Sequence, residues 1–392
     1  RNLNFGGVLY QTAWDNKPPM IYLTYAGIFQ LFGVSMFWLR LIATIVVLFT
    51  SSIIYEICRM TIGRQRALVA TFIFGLITSL RLIEGNLALT EIFMILPICG
   101  AMYIAISRNF NLVSLFFAGI LFAIASLYKQ VGAFEAVALG VYLFLISKKI
   151  IDFVKQGIFL SVGFVIPFLF TISYFASKNI LGEFIYAAYA YYQQTYLVQS
   201  PQYQIFINVA KYLPFISIVL YGFFKKIKKE NIEYLHLFVL WLSLSFLGSY
   251  FSGRTYGHYL VQITPALSLV LASIKFNLPK FTKSSTIFLI AFLIPTVFLT
   301  RLLFSNFLSG GPLNQIKYWQ NFISFASGSK SVDGYNNFFD WNVNTVMSIN
   351  DFVKMDGGTG KGVYIWGEYP WLYAMLDAKN PSRFVTSFHV TE

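Results

Sequence analysis

Charge is scarce in this sequence: Asp, Glu, Lys and Arg make up 11% of its 392 residues, against roughly 25% in soluble domains. That scarcity excludes a chain whose main solvent is water. Acid is scarcer than base, 16 residues against 29, which leaves a formal net charge of +13. The excess of base could suit nucleic acid, but Lys and Arg stand in short clusters between apolar stretches instead of lining one continuous polar face, so nucleic acid is excluded as a partner. Cysteine is nearly absent too. The two present, Cys58 and Cys99, lie in apolar runs without metal-ligand spacing, which argues against a disulfide framework. Three scattered histidines offer no zinc pattern, and neither a metal nor another cofactor is expected.

What is abundant is apolar surface: 57% of residues are hydrophobic and the mean hydropathy is +0.64. A helix needs roughly 17 to 25 mostly apolar residues to cross a bilayer. Ten stretches are candidates, several of them short at their assignable edges: Phe37–Cys58, Ala67–Leu82, Ile92–Ile106, Leu112–Leu127, Gly132–Ile146, Gly157–Ala176, Ile205–Phe223, Leu235–Phe251, Leu260–Ile274 and Thr286–Phe304. The expected fold is therefore an α-helical multi-pass membrane protein, with an interfacial helix before the first span and a small α/β segment after the last.

Basic residues accumulate in cytoplasmic loops. Arg59, Arg64 and Arg66, then Arg108, then Lys148, Lys149 and Lys155, then Lys225, Lys226, Lys228 and Lys229, then Lys275, Lys280 and Lys283 fall in alternate loops. The loops opposite hold few cations, mainly Arg81, Lys129, Lys178, Lys211 and Arg254, among many Tyr, Gln, Asn and Gly. Those loops, and both terminal segments, are expected outside the cytoplasm. Three regions follow: an outer loop with the interfacial helix over 1–33, a transmembrane domain over 34–305 and an extracytoplasmic segment over 306–392. The chain begins with Arg1 and shows no signal peptide, so it is read as a fragment lacking an upstream helix.

After Pro18 and Pro19, apolar residues recur at helical spacing over about four turns. The resulting helix is too short to span comfortably; lying flat, it would bury Ile21, Tyr25, Ile28 and Phe32. Past Ser305 the hydropathy falls. Asn344–Lys354 reads as an amphipathic helix, Gly362–Trp366 as a buried strand and Trp371–Leu376 as a short helix. The run Gly357–Lys361 lacks the spacing of a phosphate loop and is read as a turn.

Several motifs together resemble a known family. They are Gly7-Val-Leu-Tyr10, Trp14-Asp15-Asn16-Lys17-Pro18-Pro19, Phe32-Gly33 with Arg40, Asn86 to Glu91, Tyr128-Lys129-Gln130, Arg254 to Tyr259 with Pro265, and Val363 to Tyr373 (VYIWGEYPWLY). In order and placement they resemble the dolichyl-phosphate-mannose protein mannosyltransferase and aminoarabinose transferase superfamily, integral membrane glycosyltransferases of the C fold type. The resemblance implies a polyprenyl-phosphate-linked sugar as donor, a protein, lipid or glycan acceptor, and a site on the extracytoplasmic face of the cell membrane. In that family the first outer loop carries an acidic residue well upstream of Lys-Pro-Pro; this sequence starts too late to include it.

Such a donor requires cations near the membrane boundary to receive a phosphate leaving group. Lys17, Arg254, His258 and Lys129 are the candidates. Lys17 is stiffened by the prolines after it, or is a solvated loop lysine. Arg254 and His258, four apart, would share a helix face, while Tyr256, Tyr259 and His258 could equally be interfacial anchors. Lys129 and Gln130 fill a short turn that could simply set topology. The hydroxyl acceptor needs a base. Glu91, where the resemblance places an acidic residue, and Asp15 are the catalytic candidates, with helix capping the alternative for Glu91. Glu84 precedes Glu91 in the same loop. Glu135, an ionisable group within a span, either contacts substrate or pairs with Lys129; Tyr256, Tyr259 and Gln130 are further substrate-contact candidates. The tyrosines between Lys178 and Gln204 suit sugar contact or an aromatic belt. The expected activity is transfer of a sugar from the lipid-linked donor. A transporter or flippase of a lipid-linked glycan is the alternative, although no internal repeat is visible; a structural subunit would leave these residues without a common purpose.

Overall fold

Apolar helices in a bilayer bury only those faces that meet other helices, and the computed structural model sorts its helices on that basis. It describes residues 6–191, 212–251, 256–274, 311–358 and 360–387, almost all helix and turn, with no named strand among them. Among the described residues, three helices are long and apolar enough to cross a membrane: α2 (Met36–Thr61), α4 (Thr90–Ser107) and α7 (Ile150–Ser177). They contain the expected spans Phe37–Cys58, Ile92–Ile106 and Gly157–Ala176. Shorter apolar helices are α1 (Met20–Phe32), α5 (Leu112–Tyr128), α6 (Phe134–Ile146) with its leading turn, and α10 (Tyr234–Tyr250). Between them lie α3 (Arg64–Thr78), α8 (Leu181–Ile185) and α9 (Leu213–Ile227).

The chain forms two compact units: Arg40–Tyr174 with Tyr196–Ser309, and Arg1–Leu39 with Phe175–Thr195 and Gly310–Glu392. In the first, α4 is the central helix. It is mostly buried, lying along α5, whereas α2 and α7 leave most of their apolar side chains uncovered. The α5–α7 crossing depends on glycine. A Cβ on Gly163 would stand 1.9 Å from Phe116 O, and one on Gly119 would stand 2.1 Å from Leu160 O, so only small residues admit this backbone approach. Two basic residues close helix ends, where carbonyls lack partners. Arg66 donates to Ala272 O at 2.9 Å at the end of α11 (Thr264–Ser273), and Lys226 donates to Ser147 O at 2.9 Å beyond α6.

The expected span Leu260–Ile274 is not one α-helix. Gly257–Ile263 winds as a 3-10 helix, and α11 follows with ten residues, about 15 Å long where the hydrocarbon core is about 30 Å. Pro265 is the cause: with no N–H to donate, it suits a helix's first turn and starts α11 afresh. Within Ala67–Leu82 the α-helix ends at Thr78 and a short 3-10 turn, Arg81–Ile83, follows. The part of Ile205–Phe223 before Tyr212 and all of Thr286–Phe304 lie outside the described residues.

The second unit has an aromatic core. Tyr10, Trp14, Phe175, Phe184 and Tyr191 are buried together, with Phe175 and Phe184 stacked at 4.5 Å. Trp14 N donates to Arg383 O at 2.7 Å, and its ring meets Phe384 at 5.5 Å. In α1, Ile21, Ala26 and Ile28 are buried against the protein; Tyr25 is only partly covered, and Phe32 remains exposed alongside Leu23 and Leu31. The remaining helices are α12 (Gly311–Ala326), α13 (Val332–Asn337), α14 (Asn342–Met355) and α15 (Pro370–Met375). Gly357, at φ 69°, turns the chain out of α14. The strand expected over Gly362–Trp366 is a single isolated bridge, Gly362 to Lys379. The segment keeps strand-like alternation, with Val363 and Ile365 packed on Leu372, Tyr373 and Leu376 and with Tyr364 and Trp366 outward. Val363 N donates to Lys379 O at 3.0 Å and Lys379 N to Lys361 O at 3.1 Å, and with no named strand among the described residues this pairing does not extend into a sheet.

Candidate functional site

In the first unit, three short non-α segments bring together residues that lie far apart in the chain. The Arg81–Ile83 turn ends at Glu84, held in the left-handed region at φ 53°. Gln130–Ala133 follows Lys129, whose extended backbone ends α5. Gly257–Ile263 packs against both the Arg81–Ile83 turn and α4. A 3-10 turn carries poorer hydrogen bonds than an α-helix, so each segment depends on side-chain contacts for its place.

Those contacts are an ion pair and a histidine–carboxylate hydrogen bond, joined by an aromatic ring. Lys129 Nζ lies 2.6 Å from Glu91 Oε1, with side-chain exposures of 15% and 4%. The same ammonium sits 3.4 Å from the centre of the Tyr259 ring, a cation–π contact strengthened by exclusion of water. His258 Nδ1 lies 2.8 Å from Glu84 Oε2; its ring stacks on Tyr256 at 5.5 Å and meets Tyr259 edge-on at 4.9 Å. Glu91, Lys129, His258 and Tyr259 are thus gathered in one cluster. Glu84 joins it, a residue that the sequence names beside Glu91 without giving it a role; its signal was a second carboxylate in the loop before Glu91.

Glu91 stands in the first turn of α4, where the helix dipole favours a carboxylate, yet its side chain reaches across to Lys129. Glu135 is corrected in one respect. It does not pair with Lys129 but is fully buried, accepting hydrogen bonds from Ser245 Oγ at 2.7 Å and Gln262 Nε2 at 2.8 Å. Gln130 is half-buried, its carbonyl accepting from Ser126 Oγ at 3.2 Å. Tyr256 is exposed and Tyr259 buried. Arg254 lies outside the described residues, and the helix at His258 is 3-10, with three residues per turn.

Asp15 and Lys17 belong to the second unit. Their charged groups are 3.9 Å apart and partly exposed, a pair of the kind worth about 0–1 kcal/mol. The Lys17 backbone is better anchored: Tyr10 Oη donates to Lys17 O at 2.7 Å. Tyr10 is fully buried with φ 70°, and burial, with Tyr189 and Asp15 nearby, pushes its phenol well above the usual tyrosine range. Burial raises the Tyr189 phenol to about 12. Tyr191 packs edge-on against Trp14 at 5.0 Å; Tyr192, Tyr196 and Tyr203 lie outside the described residues. No group of three or more His, Cys, Asp or Glu suited to a metal ion occurs among the described residues.

Residues 16–175 match the family model of dolichyl-phosphate-mannose-protein mannosyltransferase, in agreement with the resemblance carried by the motifs. The matched stretch includes Lys17-Pro18-Pro19, Glu84, Glu91 and Lys129. It does not reach His258 or the Val363 to Tyr373 motif. No curated protein and no solved structure matches the chain.

Proposed function

With residues 16–175 matching the dolichyl-phosphate-mannose-protein mannosyltransferase family model, and with helices apolar and long enough for a bilayer, we propose that this chain is a membrane glycosyltransferase that takes its sugar from a polyprenyl-phosphate donor at the extracytoplasmic face. The observation that carries the reading is the convergence of Glu84, Glu91, Lys129 and His258. A phosphate leaving group gathers negative charge as the bond to the sugar breaks, and an ammonium and an imidazole held in place beforehand can receive it without reorganising. Lys129 is steadied by Glu91 and the Tyr259 ring; His258 is oriented by Glu84, which sets which ring nitrogen faces a ligand.

The step is a displacement. An acceptor hydroxyl oxygen bonds to the anomeric carbon, the bond from that carbon to the phosphate oxygen breaks, and its electron pair leaves with the polyprenyl phosphate. The hydroxyl proton passes to a carboxylate, for which Glu91 and Asp15 are the assigned candidates. Lys17 and Arg254 are assigned to the donor phosphate through their motifs. Tyr256, Tyr259 and Gln130 are assigned to substrate contact.

Transfer of radiolabelled sugar from a synthetic polyprenyl-phosphate mannose to cell-envelope extract tests the proposal. Glu91→Gln and His258→Ala should each lower transfer by about a hundredfold or more, with membrane insertion intact. Parent-level transfer in both variants would remove the cluster from the site.

A further inference from the structure

The first turn of α6 holds a carboxyl group that the proposed chemistry does not use. Glu135 is 0% exposed. Its Oε1 takes both of its side-chain hydrogen bonds, from Ser245 and Gln262, while Oε2 has no hydrogen-bond partner among the described residues. An ionisable group in an apolar interior is costly to keep, so what it fastens matters.

The Gln262 amide donates both to Glu135 and to Val131 O, the latter at 3.2 Å. On α10, Ser249 Oγ donates to Tyr259 O at 2.7 Å. Gly248 makes room for this arrangement, because a Cβ there would stand 2.7 Å from Gln262 Nε2. The network therefore ties α6, α10 and the turn after Lys129 to Gly257–Ile263. That last segment carries His258 and Tyr259, and as a 3-10 helix it has weak hydrogen bonds of its own.

We infer that Glu135 is a positioning residue whose carboxyl, through Gln262, seats the Gly257–Ile263 segment so that His258 meets Glu84 and Tyr259 meets Lys129. Substrate contact is not its role. The kinetic consequence rests on the proposed transferase reading; the structural consequence does not. Glu135→Gln keeps an acceptor oxygen for both donors and loses only the oxygen that has no partner. Glu135→Leu loses both hydrogen bonds.

The test uses the full chain in detergent, with two readouts. Hydrogen–deuterium exchange over 256–263 should accelerate about tenfold or more in Glu135→Leu, the effect of losing buried hydrogen bonds, and should stay near the parent rate in Glu135→Gln. With polyprenyl-phosphate mannose as donor, Glu135→Leu should raise KM and lower kcat, for a loss of about tenfold or more in kcat/KM, because the displaced cluster both binds the donor phosphate and receives its leaving charge, and Glu135→Gln should restore both. A variant that merely loosens the fold would lower active protein without moving KM. If Glu135→Leu gives no monodisperse protein, Gln262→Met cuts the same bridge from its other end. Parent-level exchange and KM in Glu135→Leu or Gln262→Met would overturn the inference, as would a Glu135→Gln variant as impaired as Glu135→Leu. Full transfer by His258→Ala would instead overturn the transferase site while leaving the exchange result standing.

Discussion

Replacing Glu91 with Gln separates the structural worth of the Glu91–Lys129 pair from its chemistry. The side chains are 4% and 15% exposed and meet at 2.6 Å, so the pair is far from the exposed kind worth about 0–1 kcal/mol. Removing one partner of a buried pair costs about 3–5 kcal/mol, because the other charge is left uncompensated. Two contacts soften that cost here. The Tyr259 ring stays beneath the Lys129 ammonium, a contact worth about 0.5–2 kcal/mol, and a Gln oxygen can still accept a hydrogen bond worth about 0.5–1.5 kcal/mol. The expected loss for Glu91→Gln is therefore about 2 kcal/mol. Glu91→Gln combined with Lys129→Met removes both charges and should return to within about 1 kcal/mol of the parent. Thermal unfolding in detergent, followed with a thiol-reactive dye, measures both, since Cys58 and Cys99 are buried until the fold opens. Transfer should stay lost in the double variant even as stability returns. Additive effects, or a Glu91→Gln variant as stable as the parent, would refute this account of the pair.

Other perturbations follow from the same geometry. Tyr10 keeps its proton more tightly when folded than unfolded, so the stability it contributes is complete below the ordinary tyrosine value near 10 and is lost as pH rises above it, by about 1.4 kcal/mol per pH unit. Thermal midpoints at pH 9 and pH 11 should fall further in the parent than in Tyr10→Phe; equal falls would remove Tyr10 as the source. Gly163→Ala drives a methyl into Phe116 O and should destabilise by about 1–3 kcal/mol, read as a lower midpoint, whereas an unchanged midpoint would mean that α5 and α7 can separate freely. Glu84→Gln should weaken transfer less than His258→Ala, because it only orients the ring; equal losses would give the carboxylate a direct part.

The membrane class was legible because runs such as Phe37–Cys58 and Gly157–Ala176 are predominantly apolar and long enough for a bilayer. Their packing was not. Composition does not distinguish α4, surrounded by other helices, from α7, which keeps its apolar faces outward. The 3-10 segment before α11 was hidden inside an apolar run, and Pro265 was the one available sign of the break. Glu91, Lys129 and His258 were nameable from their residue types and motif positions, but their partners were not. Glu84 and His258 are 174 positions apart, and Glu91 and Lys129 are 38 apart. Proximity in sequence even misled: Glu135 lies closer to Lys129 along the chain than Glu91 does, yet it is held by Ser245 and Gln262 from α10 and the turn before α11.

The most direct measurement is the fate of the donor in proteoliposomes holding only this chain, loaded with polyprenyl-phosphate [14C]mannose and given an envelope acceptor. The transferase account predicts release of polyprenyl phosphate in step with label appearing on the acceptor, and loss of both in His258→Ala. Movement of intact donor between leaflets, with the sugar–phosphate bond unbroken, would contradict it.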